Sequence, residues 1–166
     1  MNRNVHRLLT IDHQRLNAHL TKAFYDPLHI DCEIYDVFRG GLLRHIGIEE
    51  KFLFPALRKE DKSKVDALLK KLHVDHAALA AILVLSPNID RLKQLTDLLQ
   101  PHNAIEENAG GLYELCDRLP IIVQARLSEK VQRYPQIALK PCLDTPLAIR
   151  HAEALFQSAI CTKFEV

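Results

Sequence analysis

The chain has 166 residues, of which 48% are hydrophobic and 26% are charged, so its length fits one domain and its composition excludes a disordered chain. Its 22 Lys and Arg against 21 Asp and Glu give a net charge of +1, which argues against nucleic acid or an anionic membrane surface as a partner. The longest apolar stretch, residues 77–85, is much shorter than the roughly 20 residues that a membrane helix needs, and no signal-peptide pattern precedes it, so we expect a cytoplasmic protein.

Apolar residues recur at helical spacing in four long segments, and none of the four alternates with the period of a β-strand. The predicted helices span residues 5–24, 31–57, 64–85 and 89–119. Their short connections favour antiparallel neighbours, and therefore an all-α, up-down-up-down four-helix bundle. Pro101 lies within the fourth segment and is expected to kink or split that helix.

The character of the chain changes after Pro120. Residues 121–134 still have a helical pattern, and a last helix is predicted to begin at Thr145-Pro146 and to continue to about Phe164. We therefore divide the chain into a metal-binding bundle, residues 1–120, and a C-terminal helical extension, residues 121–166. The extension is expected to dock on the bundle or to form a homodimer with a second copy of the chain.

Each of the four predicted helices carries a histidine on its apolar face, and two of them also carry a glutamate there. These six residues are His13, His45, Glu49, His76, His102 and Glu106. The spacing repeats, because each glutamate follows a histidine by four residues in the second and fourth helices, and an aspartate precedes the histidine in the first and third. An antiparallel bundle would bring the six side chains together near its mid-height.

Six such groups in one core need a compensating positive charge. A single histidine on an apolar face is more often a hydrogen-bonded core residue, but ionised carboxylates are almost never fully buried without partners. A metal is the simplest source of that charge. Two carboxylates suffice to bridge two ions and leave two histidines for each, and such a nitrogen and oxygen set without thiolate suits iron, with manganese or zinc as substitutes.

These residues resemble the hemerythrin-like (HHE cation-binding) family. The resemblance covers residues 5–119 and rests on Asp12-His13, His45-x3-Glu49-Glu50 followed by Phe52-Leu53-Phe54-Pro55, Asp75-His76, and His102-x3-Glu106-Glu107. It implies a non-haem di-iron centre, oxo- or hydroxo-bridged, in which His13 and His45 serve one iron, His76 and His102 serve the other, and Glu49 and Glu106 bridge them. Members of the family bind dioxygen, sense oxygen or iron, or handle nitric oxide or peroxide.

The third helix departs from the oxygen-carrying hemerythrins, which present His-x3-His there. The nearest candidate here is His73, which lies three residues before His76 at the edge of the apolar face. His73 is either a fifth histidine ligand, a residue behind the ligands or a surface residue. Without a fifth histidine the two irons would be more alike and more open, which counts against stable oxygen transport.

The sequence therefore predicts a dinuclear iron protein that binds or senses O2, NO or peroxide, rather than an enzyme. One alternative is a di-iron oxidase or peroxidase, or an enzyme that reduces nitric oxide, which would need substrate access, an electron route and a proton donor. The residues nominated as proton donors are Glu50, Glu107, Tyr25, Tyr35 and Tyr113. Another alternative is a structural metal-binding module that serves interactions with other proteins.

Overall fold

The computed structural model describes residues 4–26 and 28–161, and the regular elements within them are all helical. The helices are α1 (Val5–Ala23), α2 (Cys32–Ile48), α3 (Phe54–Val84), α4 (Ile89–Glu107), α5 (Leu112–Asp117), α6 (Ile121–Arg133) and α7 (Pro146–Cys161). A π-helical turn, Glu49–Leu53, joins α2 to α3. The prediction of an all-α four-helix bundle with a C-terminal helical extension is confirmed. Among the described helices, none combines the length and apolar character that crossing a bilayer requires.

Polar side chains fix where three of the bundle helices begin. Asn4, Asp31 and Asn88 precede α1, α2 and α4, and each accepts a hydrogen bond from the backbone amide three residues further on. The first amides of a helix have no partner within it, so such caps stabilise each start by about 1 kcal/mol. These starts agree with the predicted segments.

The second bundle helix runs through α2, the π-helical turn and residues 54–60 of α3. In the π-helical turn the amide of Phe54 donates to the carbonyl of Glu49, five residues back. Asp61 then leaves the helical region, with φ −153° and ψ 87°, and the rest of α3 forms the third bundle helix. The loop predicted between residues 57 and 64 is thus a sharp break at one residue.

The fourth bundle helix breaks at a different place from the one predicted. Of the two effects expected at Pro101, the split does not occur, because α4 continues through this residue to Glu107, and the kink stays a prediction. The break lies at residues 108–111, where Gly110 has φ +79° and a Cβ on Gly111 would collide with the carbonyl oxygen of Ile105. A proline removes one backbone hydrogen bond, whereas a left-handed glycine turns the chain, so the glycine pair ends the helix.

The core consists of two apolar clusters with a band of polar side chains between them. The upper cluster includes Leu16, Leu20, Phe38, Leu42, Leu79 and Leu98, and the lower cluster includes Leu9, Ile48, Leu53, Leu69, Leu72 and Leu112. Every bundle helix passes from one cluster to the other at its inward-facing histidine. In α1, for example, His13 lies between Leu9 and Leu16, and this common register places the four histidines at one height.

The C-terminal extension packs against both ends of the bundle of its own chain. Leu127 of α6 belongs to the lower cluster, and Phe156 of α7 belongs to the upper cluster. Of the two predicted alternatives, the structure shows docking of the extension on the bundle. The homodimer stays a prediction. The predicted end of the last helix, Phe164, lies outside the described residues.

Two arginines of α2 hold the segment that connects α6 to α7. Arg44 donates to the carbonyl of Tyr134 at 2.8 Å, and Arg39 donates to the carbonyl of Lys140 at 3.3 Å. Arg39 is 5% exposed and also donates from Nε to the carbonyl of Leu83 at 2.9 Å. This one guanidinium therefore links the second helix, the third helix and the extension.

Replacing Arg39 with alanine is expected to lower the free energy of unfolding by about 2 kcal/mol, because two carbonyl groups lose a charged donor. Urea denaturation followed by circular dichroism measures the change. Arg126→Ala is the matched control, since Arg126 is exposed on α6 and its loss should stay within about 0.5 kcal/mol of the parent. Equal stability of the two variants would contradict the structural role of Arg39.

Candidate metal centre

The six side chains predicted as metal ligands all point into one buried space at mid-height of the bundle. The four histidines are between 1% and 7% exposed, and both glutamates are 0% exposed. They form two sets of four: the first set is His13, His45, Glu49 and Glu106, and the second set is His76, His102, Glu49 and Glu106. Within each set the candidate ligand atoms lie within 4.8 Å of one another. The structure thus brings together all six residues that the sequence singles out.

Each glutamate directs one oxygen to the histidine pair of the first set and its other oxygen to the histidine pair of the second set. The closest pairs are Glu49 Oε1 with His45 Nε2 at 3.1 Å, Glu49 Oε2 with His76 Nε2 at 3.2 Å, Glu106 Oε2 with His13 Nε2 at 3.3 Å, and Glu106 Oε1 with His102 Nε2 at 3.0 Å. Both carboxylates therefore span the two histidine pairs. A carboxylate that bridges two ions needs this orientation.

Three buried atoms of the second set have no hydrogen-bond partner among the described residues. They are Glu49 Oε2, His76 Nε2 and Glu106 Oε1, because the approaches of His76 to Glu49 and of His102 to Glu106 lack the geometry of a hydrogen bond. An unsatisfied buried polar atom costs about 1–3 kcal/mol, so three of them at one point are unfavourable. All three can offer a lone pair to a cation, and the residues present therefore fit a metal at this point.

A second layer of carboxylates orients the histidines from behind. In each case the outer ring nitrogen, Nδ1, donates to a carboxylate on a neighbouring helix: His45 to Asp12 at 3.0 Å, His76 to Glu50 at 2.8 Å, His102 to Asp75 at 3.4 Å and His13 to Glu107 at 2.5 Å. Each of these carboxylates stands beside a predicted ligand in the sequence, so every helix orients the histidine of the next helix around the bundle. A proton on Nδ1 leaves the Nε2 lone pair directed at the centre, as metal-binding histidines require.

The carboxylates also control the charge of the imidazoles. Burial lowers the pKa of His45, but the charge of Glu49 and the hydrogen bond to Asp12 outweigh burial and raise this pKa from 6.5 to about 10. Burial likewise opposes the ionisation of Glu106, yet His102 and its neighbours hold the pKa of that carboxyl well below its usual value. Without metal, a protonated His45 therefore faces ionised carboxylates in this centre.

Tyr113 also reaches the centre, although the sequence indicated it only as a core residue and a nominated proton donor. Its side chain is fully buried, and its hydroxyl donates to Glu49 Oε1 at 2.8 Å. Burial and the charges of Glu106 and Glu49 raise the pKa of Tyr113 well above its usual value. The available signal was the spacing of seven residues from Glu106, because in the predicted continuous helix this spacing places both residues on one face.

The other nominated residues lie elsewhere. Tyr25 is 89% exposed, and Tyr35 is buried in the upper cluster between Phe24 and Phe38. The side chain of His73 is 66% exposed, and its Nδ1 lies 2.9 Å from the Glu50 carboxylate that His76 also contacts. His73 is thus outside both sets of four.

The pKa values predict opposite pH dependence for the metal-free protein and for metal binding. Because the folded pKa of His45 lies above 6.5, its protonated form stabilises the fold fully below about pH 6.5, and this stabilisation is lost as the pH rises toward 10. For Asp12, burial raises the pKa but His45 and Arg15 lower it to about 2, so its contribution is present above pH 3.8 and is lost as the pH falls through about 2.

We therefore expect the urea midpoint of the metal-free protein to fall between about pH 6.5 and pH 8.5, while the increment produced by added zinc(II) grows over the same interval. Metal must displace the histidine protons, which becomes easier as the pH rises. Denaturation with chelator and with zinc at each pH measures both quantities. An increment that is constant with pH would contradict this assignment of protonated histidines.

Comparison with known proteins finds one family match, and it covers the part of the chain that holds these residues. The family profile described as "Hemerythrin HHE cation binding domain" matches residues 4–113, which is more than half of the chain and includes every member of both sets. No curated protein and no solved structure matches the chain. With its helical bundle, its two His and Glu sets and this match, the chain belongs to the hemerythrin HHE cation-binding domain family.

Proposed function

We propose that the chain is a dinuclear non-haem iron protein that binds or senses a small ligand, namely O2, NO or peroxide. In this proposal His13 and His45 hold one iron, His76 and His102 hold the other, and Glu49 and Glu106 bridge them. The observation that carries it is the orientation of the two glutamates, each of which directs one oxygen to each histidine pair. A single ion would contact only one histidine pair and one oxygen of each glutamate.

The donor atoms favour iron over a structural zinc ion. Structural zinc sites use four ligands, commonly with thiolates, whereas this centre offers imidazole nitrogen and carboxylate oxygen. The buried Cys116 belongs to neither set of four, so no thiolate joins the donors of this proposal. Manganese and zinc remain chemically acceptable substitutes for the same donors.

A small cavity beside His13 supports a small ligand. Its volume is about 90 Å³, and its apolar wall includes Leu16, Phe38, Leu42 and Leu99. A water molecule takes about 30 Å³ of liquid volume, so a diatomic molecule or peroxide fits, whereas pockets for larger organic ligands measure roughly 300–1,000 Å³. The cavity thus favours a small ligand over an oxidase that acts on an organic substrate.

The protein itself would orient the metal ligands, exclude water from the centre and hold protons near it. Bound iron would supply the electrons for binding or reducing the ligand. The carboxylates behind the histidines hold each imidazole in one tautomer, and the apolar clusters above and below exclude bulk water. Before metal binds, the hydroxyl of Tyr113 holds a proton 2.8 Å from Glu49, inside the first set.

His45→Ala and Glu106→Ala are each expected to lower bound iron to well under two equivalents per chain, measured by elemental analysis after anaerobic reconstitution. Glu106→Ala should have the larger effect, because this carboxylate serves both sets. His151→Ala is the matched control, since His151 is exposed on α7 and its loss should leave iron content unchanged. Full loading of both centre variants would overturn the ligand assignment.

The ligand hypothesis is tested by exposing the anaerobic diferrous protein to air or to nitric oxide. We expect a visible absorption band that persists and disappears when the gas is removed, as reversible binding requires. Immediate decay of the band with consumption of peroxide or NO would instead identify an enzyme. A fold supported equally by zinc, with no spectral change in air, would identify a structural metal module.

A further inference from the structure

The hydroxyl of Tyr113 makes close contacts with all four members of the first set. Its oxygen lies 2.8 Å from Glu49 Oε1, 3.1 Å from both His13 Nε2 and His45 Nε2, and 3.2 Å from Glu106 Oε2. The side chain is 0% exposed. A fully buried hydroxyl at nearly equal distances from four donor atoms stands in the centre itself rather than beside it.

These five atoms have the spacing of donors around one ion. The four ligand atoms follow one another around the set, with His13 Nε2 2.9 Å from His45 Nε2, His45 Nε2 3.1 Å from Glu49 Oε1, and Glu106 Oε2 3.3 Å from His13 Nε2. Neighbouring corners of an octahedron with bonds of about 2.1 Å lie about 3.0 Å apart. The phenol oxygen lies at a similar distance from all four atoms, as the apex of a square pyramid does from the corners of its base.

Hydrogen bonding alone does not account for this arrangement. A phenol has one proton to donate and can accept two hydrogen bonds, so it cannot pair with four neighbours. Metal binding requires neutral imidazoles, and with their outer nitrogens donating to Glu107 and Asp12, His13 and His45 then present lone pairs at Nε2. In that state lone pairs from two imidazoles, two carboxylates and the phenol converge, as the donors around one cation must.

The glycine pair after α4 brings the phenol to this position. In an unbroken helix, seven residues would separate Tyr113 from Glu106 by about 10.5 Å along the axis. The chain turns instead at Gly110, and Gly111 packs against the carbonyl oxygens that end α4, where a larger residue would collide. The new helix, α5, therefore begins one residue before Tyr113 and directs its hydroxyl back at Glu106.

We propose that Tyr113 is a further metal ligand, whose phenolate oxygen is the fifth protein donor of the first set. This inference rests on the proposed function, since it needs an ion between His13 and His45. Binding of iron(III) replaces the O–H bond of the phenol with an O–Fe bond and releases one proton to solvent, and no electron is transferred. The second set retains three atoms without partners among the described residues, so the two metal positions are chemically different.

The test is the optical and resonance Raman spectrum of the iron(III)-loaded protein. We expect a phenolate-to-iron(III) charge-transfer band in the visible region, with phenolate ring modes enhanced by excitation in that band. Tyr113→Phe should abolish both and should release iron to a chelator at least about tenfold faster. Incorporation of ring-deuterated tyrosine into the parent protein should shift the enhanced modes, which tests the assignment without any variant.

Tyr35→Phe is the matched control. Tyr35 is 1% exposed, lies in the upper cluster and has a hydroxyl without a hydrogen-bond partner among the described residues, so its loss should leave the band and the chelation rate unchanged. Two bound irons without a phenolate band, or identical spectra of the parent and Tyr113→Phe, would overturn the inference and leave the proposed function standing. A parent protein that binds no iron would overturn both.

Discussion

The burial of two carboxylates in an apolar core is the constraint on which the rest of this structure depends. Glu49 and Glu106 are fully buried between two clusters of leucines, where an ionised carboxylate needs compensation. Six carboxylates surround the centre, and Arg15 and Lys71 offset two of them through ion pairs with Asp12 and Asp75. With neutral imidazoles and a protonated Tyr113, four negative charges remain, and the two divalent cations of the proposed function would neutralise them. This charge balance supports that proposal.

The same residues connect the centre to the packing of the bundle. Each helix orients the histidine of the next helix. A shift of one helix along its axis would therefore misplace an imidazole, and the same shift would leave a carboxylate without its partner. The extension reinforces this register, since α6 and α7 add side chains to the lower and upper clusters respectively. Ligand orientation is therefore a property of the whole helix arrangement, which is how a metal centre retains its geometry before metal arrives.

Helical periodicity was sufficient to predict the bundle and the convergence of the six central residues, because a residue's face and height depend on its position in a straight helix. It failed where the backbone departs from that helix. The π-helical turn that begins at Glu49 was not predicted, because nothing in the sequence reveals its extra residue per turn. The break at Asp61 has no glycine or proline to reveal it, and the break at Gly110 was less visible than Pro101, which the helix accommodates. Tyr113 was missed as a member of the centre because its approach depends on that break.

On our proposals, the two metal positions differ because of the backbone break at residues 108–111, which brings Tyr113 to one of them. The two sequence halves repeat their His and Glu spacing, and the bundle converts that repeat into two nearly equivalent sets of four. In the oxygen-carrying hemerythrins a second histidine on the third helix adds a nitrogen donor on the side of His76 and His102. Here neither position four residues from His76, Leu72 or Ala80, is a histidine, whereas the phenol of Tyr113 lies with His13 and His45. On our proposal the fifth donor is therefore an anionic oxygen on the other ion, which favours iron(III) there. A centre biased in this way suits a sensor or a reactive site better than a carrier that must return to the diferrous state after each cycle.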